Sequence, residues 1–553
     1  MLSINNYIPP IHVRVVFAMI AIVFLGIRIS FAKDINYTKF EVIRNGDFEQ
    51  DRDAWYVNRS NISSLAGKDG SYGLDLGHGS KVDPYNCYAF QKLMIPSELN
   101  SATIRFDYGI DDKDYYDPSP VNFEVSIVAS KGFDSEKLGE NPPVEVIDVI
   151  HTETIATAFN WQGFRAELTP DLLGAMQAAH EAGEFVFLLF SQNNGNGGGD
   201  PRFDIYIDNV FFTINGVQHV PELGGKIAYL EDNVENEPYA LDILDPNTLE
   251  AKTIWSRPED DTIVYGVHEM AWRPDGSEIA FVSDKDFLNS SLYSDIYAIK
   301  PDGTDLRKVT ELLEFNRSGI NPRSLLPCDL TWKHDGSEIG FRMLGFYKIP
   351  ADPKEPYVWT EVKPSGGFLS NSITWSPVDD RYLYCDYRNI TINQLFVAEE
   401  GGEPRLLLEN NNDFTQPAWL PDGSGFVYIG QPEDNGNIDD NIFYYDFRTE
   451  QKLRLTYFRY EDIENLSISP NGQYVVFEMR KEAASIYHHS DLWVMDRLNP
   501  TNIWPITVSG NCTKPVWSPT GGPDNNNGNN DDRNNAGGGG GGGGGCFVSN
   551  CFQ

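Results

Sequence analysis

Adjacent histidines and short runs of carboxylates are the residues of this sequence whose types and spacing could do chemistry. His488 and His489 stand side by side in a polar segment, where imidazoles can bind metal ions or transfer protons. No third ligand follows at a metal-binding spacing, so an ordinary surface loop is the alternative. His268-Glu269 lacks the second histidine of the zinc hydrolase motif. His488 and His489 are therefore candidates for ligand binding, with no reaction assigned to them.

Aromatic residues beside an acidic run indicate a second chemistry, the recognition of sugars. Tyr115 and Tyr116 follow the acidic run 111–114, and their rings suit the apolar C–H faces of sugars. Trp55 is a further aromatic candidate, although it is better explained as a core residue. The runs 111–114 and 434–440 also supply oxygen ligands that suit Ca²⁺, with a solvated loop as the alternative.

The common catalytic motifs are not found in the sequence. It has neither the Gly-x-Ser-x-Gly turn of serine hydrolases nor the glycine patterns of nucleotide-binding loops. The residues after 522 are too few for a hydrolase domain, so we do not expect a serine peptidase. We expect a non-catalytic binding or scaffold protein. The alternative is an enzyme acting on polysaccharide, a lyase or a glycosidase, which would need a base and charge-neutralising cations on one face.

The amino-acid composition limits the classes of molecule that the protein is expected to bind. The chain has 553 residues, of which 81 are acidic and 43 basic, and its formal net charge is −38. Such a charge repels nucleic acid and anionic membrane surfaces, so the expected partner is a glycan or a protein. With 41% hydrophobic residues the chain can bury cores, which excludes global disorder. Six cysteines are too few for a disulfide scaffold, and the first four are expected to be unpaired.

The two ends of the chain are not expected to belong to the folded domains. Residues 1–32 contain an apolar run, Val15–Ile27, followed by a small-residue cleavage site. The run is too short for a bilayer, which takes about 20 residues, so we predict a cleaved signal peptide rather than an uncleaved anchor, with no membrane insertion afterwards. Residues 523–553 are rich in Asn and Gly and end in a cysteine pair. We predict a disordered tether there.

Residues 33–217 predict a β-sandwich. Short runs alternate apolar and polar residues between Gly, Asn, Asp and Pro clusters, as in 102–108, 121–128 and 203–208. The stretch 169–182 opens with a capping Thr followed by Pro and predicts a helix. We therefore expect an all-β domain with one helical insertion.

A repeat occupies residues 224–522 and predicts a β-propeller. Each copy has a Trp or Ile anchor, a turn such as Pro-Asp-Gly, and a return strand such as Ile-x-Phe. The anchors recur at intervals of 43 to 60 residues, a period typical of four-stranded blades. The anchors are Trp272, Trp332, Trp375, Trp419, Ile468 and Trp517.

Incomplete copies at the two ends of the repeat predict how the propeller closes. Residues 225–230, 239–244 and 251–255 fit the second to fourth strands of a blade without a first strand. The segment 515–519 supplies that strand, which gives six blades and no open sheet edge. Ligands are expected at the end of the channel where loops from all blades meet. The candidate loops there are 284–291, 430–441 and 481–490.

The repeat resembles a known family. Trp272–Thr310 has the order Trp-x-Pro-Asp-Gly, Asp-Ile-Tyr and a final Val-Thr, which resembles the TolB-like propeller repeat, also called PD40. This resemblance implies a six-bladed propeller in an exported bacterial protein, located in the periplasm, at the cell surface or outside the cell. It also implies protein recognition as a function.

The N-terminal region resembles the galactose-binding-like jelly rolls, which include many carbohydrate-binding modules. The resemblance lies in Arg44–Glu49, Phe159–Trp161 and Tyr206–Val210. It implies that the first and last strands lie together, often around a structural calcium ion. Carried over by position, Glu49 and Asp208 are the calcium ligands, and carbohydrate recognition is the implied function.

Overall fold

The computed structural model describes most of the chain between residues 31 and 519. The described residues are 31–43, 46–48, 55–58, 60–63, 66–68, 71–76, 86–112, 121–130, 145–156, 158–193, 203–232, 238–256, 266–284, 294–311, 327–343, 345–354, 360–363, 369–389, 392–410, 414–431, 440–456, 458, 463–480 and 490–519. The predicted tether and nearly all of the predicted signal peptide lie outside these ranges.

Two antiparallel sheets form an N-terminal β-sandwich. Their strands are β1 (Phe31–Glu41), β2 (Tyr56–Asn58), β3 (Asn61–Ser63), β4 (Gly73–Leu76), β5 (Asn86–Leu93), β6 (Glu98–Asp112), β7 (Val121–Ser130), β8 (Glu145–Ile155), β9 (Phe159–Glu167), β10 (Phe185–Asn193) and β11 (Phe203–Pro221). One sheet has the order β3-β4-β11-β6-β9, with β1 also paired to β11; the other has the order β2-β5-β10-β7-β8. The predicted sandwich is confirmed, while the likeness to galactose-binding jelly rolls stays a prediction.

One hydrophobic core lies between the two sheets, and the outer face of the β2-β5-β10-β7-β8 sheet carries a second buried cluster that includes Phe90, Val128 and Phe187. In β7, Phe123 is buried while its neighbour Asn122 is exposed. The rings of Phe106 and Phe190 meet edge to face across the sheets, with centroids 5.2 Å apart. Trp55 is fully buried in this core, so its interpretation as a core residue is confirmed.

The predicted helix is α1 (Pro170–Glu181), which packs against the sandwich core. Its N-terminus is stabilised by Thr169, whose Oγ1 accepts a hydrogen bond from the backbone amide of Leu172 at 3.2 Å. On the inward face, Leu173 and Met176 are buried. The capping residue Thr169 and the spacing of the apolar residues together explain why the chain forms a helix here.

Six four-stranded antiparallel sheets follow in the described chain and form the blades of a propeller. Blade I contains β12 (Ile227–Asp232), β13 (Pro238–Asp245), β14 (Glu250–Ser256) and β35 (Cys512–Trp517); blade II contains β15 (Val267–Trp272), β16 (Ile279–Ser283), β17 (Asp295–Ile299) and β18 (Arg307–Lys308); blade III contains β19 (Cys328–Trp332), β20 (Glu338–Arg342), β21 (Phe346–Pro350) and β22 (Thr360–Lys363). Blade IV contains β23 (Leu369–Trp375), β24 (Arg381–Asn389), β25 (Ile392–Glu399) and β26 (Arg405–Asn410); blade V contains β27 (Phe414–Trp419), β28 (Gly425–Gly430), β29 (Asn441–Asp446) and β30 (Gln451–Arg454); blade VI contains β31 (Ile463–Ile468), β32 (Tyr474–Arg480), β33 (Ser490–Asp496) and β34 (Asn499–Pro505).

The last strand of the propeller closes the first blade, as predicted. Blade I has the order β14-β13-β12-β35, with Ile227 opposite Trp517 and Leu230 opposite Thr513. In this way the inner edge of β12 is covered by a strand that lies nearly 300 residues later in the sequence. The prediction of six blades with one shared between the two ends is confirmed.

The anchor residues hold adjacent blades together at the ends of the inner strands. For three of the anchors, the indole N–H donates a hydrogen bond to the carbonyl of the residue before the preceding blade's anchor, whereas Trp517 donates to the carbonyl of Gly224 at 2.7 Å. The pairs are Trp272 with Val516 at 3.0 Å, Trp332 with Ala271 at 3.1 Å and Trp419 with Thr374 at 3.2 Å. The anchors are therefore structural, and their repetition follows from the repetition of this contact.

The turns after four of the anchors also have the predicted geometry, with glycines of positive φ at positions 276, 336, 423 and 472. Gly276 has a φ of 72°, which glycine adopts without the steric penalty of a Cβ atom. Oδ1 of Asp275 accepts hydrogen bonds from the backbone amide and the hydroxyl of Ser277, at 2.9 and 2.6 Å. The Pro-Asp-Gly-Ser sequence thus fixes the reversal between the first two strands of a blade.

The sandwich and the propeller share a hydrophobic core. Ile35 and Tyr37 of β1 and Val220 of β11 pack in one cluster with Tyr474 and Trp504 of blade VI. All five side chains are buried. The sequence predicts two separate domains, but this cluster joins them, so we expect them to unfold together.

The limits of the sandwich differ from those predicted. Strand β11 runs to Pro221, past the predicted boundary at residue 217, because its end pairs with β1. Strand β1 begins at Phe31, two residues before the predicted mature N-terminus at Lys33.

The described helix is not long and apolar enough to cross a membrane. Within the described chain, Cys328 and Cys385 form no disulfide bond.

Candidate functional site

Most of the side chains predicted to bind ligands fall outside the described residues. These are Tyr115, Tyr116, His488, His489 and Glu49. Asp208 is described, and it lies in β11 at a bulge in the pairing with β6, next to Asn209, whose φ is 52°. The acidic runs 111–114 and 434–440 are also largely outside the description. Sugar contacts by the tyrosines and ligand binding by the histidines stay predictions.

Asp208 is buried and surrounded by hydrogen-bond donors of the protein. Its Oδ2 accepts hydrogen bonds from the Lys68 amide at 2.9 Å and the Ser71 hydroxyl at 3.1 Å, and its Oδ1 accepts the Asn209 amide at 2.7 Å. Burial raises the pKa of Asp208, with these hydrogen bonds acting in the opposite direction. The described residues contain no group of three or more His, Cys, Asp or Glu side chains that could hold a metal ion. Calcium binding by Glu49 and Asp208 stays a prediction.

The structure brings together a set of residues that the sequence analysis did not single out. In five of the six inner strands, the residue three positions before the anchor lies within a register shift in the pairing with the second strand. In blade II the shift comes just before that position, between Val267 and Glu269. Such a bulge turns a side chain out of the regular alternation of the strand. We call the six residues at this position the bulge ring; they are Glu269, Asp329, Ser372, Gln416, Asn465 and Lys514.

All six side chains of the bulge ring line a cavity of about 430 Å³ in the central channel. At four of the positions the backbone is left-handed, with φ of 50° to 52°, which is uncommon for residues other than glycine. These four are Asp329, Gln416, Asn465 and Lys514. On the side of the inter-strand turns the cavity is bounded by prolines that follow the anchors: Pro274, Pro377, Pro421, Pro470 and Pro519.

The uncharged side of the bulge ring forms a chain of hydrogen bonds. Oγ of Ser372 accepts the backbone amide of Gln416 at 2.8 Å, and Nε2 of Gln416 donates to Oδ1 of Asn465 at 3.1 Å. Nδ2 of Asn465 donates to Oε2 of the buried Glu478 at 2.8 Å. The same carboxylate oxygen accepts the backbone amide of Lys514 at 3.1 Å. Because neighbouring blades orient one another's side chains, these groups are held in place before any ligand arrives.

The charged side of the bulge ring consists of two ion pairs. Nζ of Lys514 lies 2.7 Å from Oε1 of Glu269, and Arg342 of β20 pairs with Asp329. Burial alone would lower the pKa of Lys514, but attraction to Glu269 and Glu478 more than offsets this effect and raises it. Burial raises the pKa of Asp329, while Arg342 opposes that change. Both basic groups are thus held by carboxylates.

Asp232 adds a titratable carboxyl group beside the bulge ring. It ends β12, is buried, and accepts a hydrogen bond from the Thr513 hydroxyl at 3.3 Å. Burial and repulsion by the nearby Glu478 raise the pKa of Asp232 to about 7. The negative charge of Asp232 therefore develops only near neutral pH.

Replacing Asp232 with Asn is expected to stabilise the protein, and more so at high pH. The folded-state pKa lies above the value of an unfolded Asp, so the wild-type protein loses stability as the pH rises from about 4 to about 7. Asn keeps the acceptor for Thr513 and removes the charge. The stabilisation should be about 2 kcal/mol larger at pH 8 than at pH 5, measured by urea unfolding. An equal effect at both pH values would contradict a raised pKa for Asp232.

The first residue of one predicted binding loop lies beside the start of an inner strand. The backbone amide of Gly266, just before β15, donates to Oδ1 of Asp284 at 2.7 Å. Asp284 is the first residue of the predicted loop 284–291, which joins the second strand of blade II to the third. Most of that loop lies outside the described residues, as do most of 430–441 and 481–490.

The sequence indicates the bulge ring by position and not by residue type. The ring position follows from the repeat, because it lies at a constant distance from every anchor. Its occupants share no chemical class, so a search for recurring residue types passes over it. When the six copies of the repeat are aligned, the bulge ring is the position at which every copy has a polar residue of a different type.

No family model matches the chain, and no curated protein matches it. Among solved structures, the chain is similar to TolB from Acinetobacter baumannii, with 18% identity, coverage of 56% of this chain and 79% of that chain, and a TM-score of 0.43. It is similar to a putative TolB from Agrobacterium tumefaciens, with 17% identity, coverage of 54% and 95%, and a TM-score of 0.39. It is also similar to oligogalacturonate lyase from Vibrio parahaemolyticus, with 11% identity, coverage of 54% and 93%, and a TM-score of 0.32. The assignment of this chain as a β-sandwich followed by a six-bladed propeller stands on its own strand pairing.

Proposed function

We propose that the protein is a non-catalytic binding or scaffold protein that recognises a partner protein in the central channel of the propeller. The observation that supports this most directly is the bulge ring, in which six blades present six different side chains at one repeat position. A purely structural position would repeat one residue type, as the anchor position does. Variety at a position that lines a cavity is what recognition of an asymmetric ligand requires.

The charges around the channel favour a positively charged ligand. Glu269, Asp329, Glu478 and Asp232 are acidic, and the neighbouring basic groups, Lys514 and Arg342, are already ion-paired. Together with the net charge of −38, this arrangement attracts basic ligands and repels acidic ones. A segment of a partner protein rich in Lys or Arg fits these charges best.

The alternative of an enzyme acting on acidic polysaccharide is less well supported by the channel. A lyase needs a free cation to neutralise the uronate carboxylate and a base to remove a proton. In the described part of the channel, each cation of the bulge ring region is held by a carboxylate, Lys514 by Glu269 and Arg342 by Asp329. Because both cations are already neutralised, the channel is better suited to binding a ligand than to abstracting a proton from a uronate sugar.

Three further parts of the proposal rest on the sequence. We propose that the protein is exported, that the sandwich recognises carbohydrate with Tyr115 and Tyr116, and that Glu49 and Asp208 bind a structural Ca²⁺ ion. The sandwich and the propeller would then hold two different ligands on one rigid molecule, since they share a core.

The channel proposal is tested with a peptide array probed with the full-length protein. We expect peptides rich in Lys and Arg to bind, and acidic peptides of the same length not to bind. Replacing Glu269 with Gln should weaken binding about tenfold, because the variant removes a negative charge and leaves Lys514 to repel the ligand. Binding should also strengthen between pH 6 and pH 8 as Asp232 ionises near its pKa of about 7.

Glu403 provides the control for this test. It is exposed, lies before β26 on the outside of blade IV, and its side chain makes no ion pair within the described structure. Glu403→Gln changes the net charge by the same amount and should leave binding unchanged. Equal weakening by the two variants would show that only the overall charge attracts the peptides, and it would contradict recognition in the channel.

A further inference from the structure

The outer face of the larger sheet of the sandwich carries a pair of opposed arginines. Arg105 of β6 and Arg165 of β9 are directly opposite each other in the antiparallel register, and both are exposed. Two like charges at directly opposed positions of a sheet destabilise it. Sixty residues separate the two arginines in the sequence, so the pairing of β6 with β9 alone brings them together.

Neither arginine forms an ion pair with a described acidic side chain, although the carboxylate of Glu41, which accepts the backbone amides of Ile43 and Phe212, lies close enough to Arg105 for the two charges to attract each other. The guanidinium group of Arg105 lies over the ring of Phe211, 3.8 Å from its centre, and Arg165 makes no ion pair within the described chain. The nearby carboxylate of Asp107 accepts hydrogen bonds from Nζ of Lys68 at 3.0 Å and Nδ2 of Asn209 at 3.1 Å. That acid is therefore engaged elsewhere, and the arginines are available to a ligand.

Polar side chains continue the face away from the arginine pair. A groove of about 570 Å³ extends from Arg105 and Arg165 toward Ser101 and Asn215. Nδ2 of Asn215 donates to Oγ of Ser101 at 2.6 Å, and Thr103 and Thr213 lie opposite each other between them and the arginines. From residue 105 to residue 101 the strand covers about 13 Å, at about 3.3 Å per residue. The groove also contains two further charged residues, Lys39 and Glu167, the latter directly opposite Thr103. Its short hydroxyl and amide side chains suit a ligand with many hydroxyl groups.

We propose that this face binds an acidic polysaccharide whose sugars carry carboxylate groups. Each planar guanidinium group can hold one carboxylate through two parallel hydrogen bonds. The row of Ser, Thr and Asn side chains binds sugar hydroxyls along the groove. An acidic peptide fits less well, because the strand backbones below the groove are already paired and cannot accept a further strand.

The proposal deepens the carbohydrate recognition proposed for the sandwich and rests on it, but it places the ligand on the sheet face and not at Tyr115 and Tyr116. The net charge of −38 does not forbid it. At physiological ionic strength, interactions between exposed charges fall off over about 8 Å, so the local arginine pair governs contacts at this face.

The test measures binding of the full-length protein to immobilised polygalacturonate and to neutral dextran. We expect binding to polygalacturonate that weakens with added salt, and no binding to dextran. The double variant Arg105→Gln/Arg165→Gln should bind polygalacturonate at least tenfold more weakly. Arg448→Gln, which removes an exposed arginine of the propeller, should bind like the wild type.

Thermal unfolding of the double variant separates loss of the site from loss of the fold. Removing two opposed like charges should leave the melting temperature equal to or above that of the wild type. Full binding by a folded double variant would overturn the proposal. Binding to dextran and not to polygalacturonate would overturn it and leave carbohydrate recognition standing, whereas binding to neither polymer would count against both.

Discussion

A chain that ends at Asn511 is expected to lose the cooperative unfolding of the propeller. The truncation removes β35, which pairs with β12 and carries the anchor Trp517 and the carbonyl of Val516 that Trp272 contacts at 3.0 Å. Without β35, the inner edge of β12 has no partner strand, and one of the six anchors is missing. The expected loss exceeds about 5 kcal/mol, which is comparable with the total stability of a domain. Circular dichroism and calorimetry should show no transition near the wild-type melting temperature.

The matched control for this truncation is a chain that ends at Gly521. It keeps β35 and removes the tail. Residues after 522 make up the predicted tether, so this variant should melt within about 2 °C of the wild type. A cooperative transition at the wild-type temperature in the shorter chain would contradict closure of blade I by β35. A large loss of stability in the control would instead contradict the interpretation of the tail as a tether.

Replacing Trp504 with Ala is expected to destabilise the sandwich and the propeller together. Trp504 is fully buried in the cluster that joins blade VI to β1, and its ring centre lies 6.2 Å from that of Tyr474. Removing so large a side chain from a core costs about 3–5 kcal/mol. Urea unfolding followed by circular dichroism should show one transition at a lower midpoint with an unchanged slope.

Trp504→Phe provides the comparison. The substitution keeps most of the apolar volume, and it removes an indole Nε1 that has no hydrogen-bond partner within the described structure. We therefore expect a loss below about 1.5 kcal/mol. If Trp504→Ala lowers the stability no more than Trp504→Phe does, or if the sandwich and the propeller unfold in separate transitions, the shared core does not couple the two domains.

The sequence specifies the propeller closely because each blade is built from local features. A buried anchor, a turn residue with positive φ and a buried return strand all lie within a dozen residues, and blade II has them at the predicted positions. The closing strand was also predictable, because the first copy lacks an inner strand and the last copy consists of little else. The capped helix over Pro170–Glu181 belongs to the same class of local signals.

The sequence carries less information about the candidate sites than about the fold, for a physical reason. Single residues such as Asp208 were chosen by type and by resemblance, but the structure shows its carboxylate surrounded by protein hydrogen-bond donors. The bulge ring depends on a register shift, which leaves the side chain out of the alternating pattern that sequence analysis reads. Its members have no residue type in common, so no motif marks them.

By itself, the sequence determined the fold class, the number of blades, the way the ring closes and the acidic character of the protein, because these follow from local patterns and from composition. Only the tertiary structure decided which side chains meet. Residues as far apart as Glu269 and Lys514, or Arg105 and Arg165, come together through strand register and ring closure, and these depend on long-range pairing. For the same reason, an acidic chain can carry an opposed pair of arginines on one sheet face, which its net charge of −38 does not reveal.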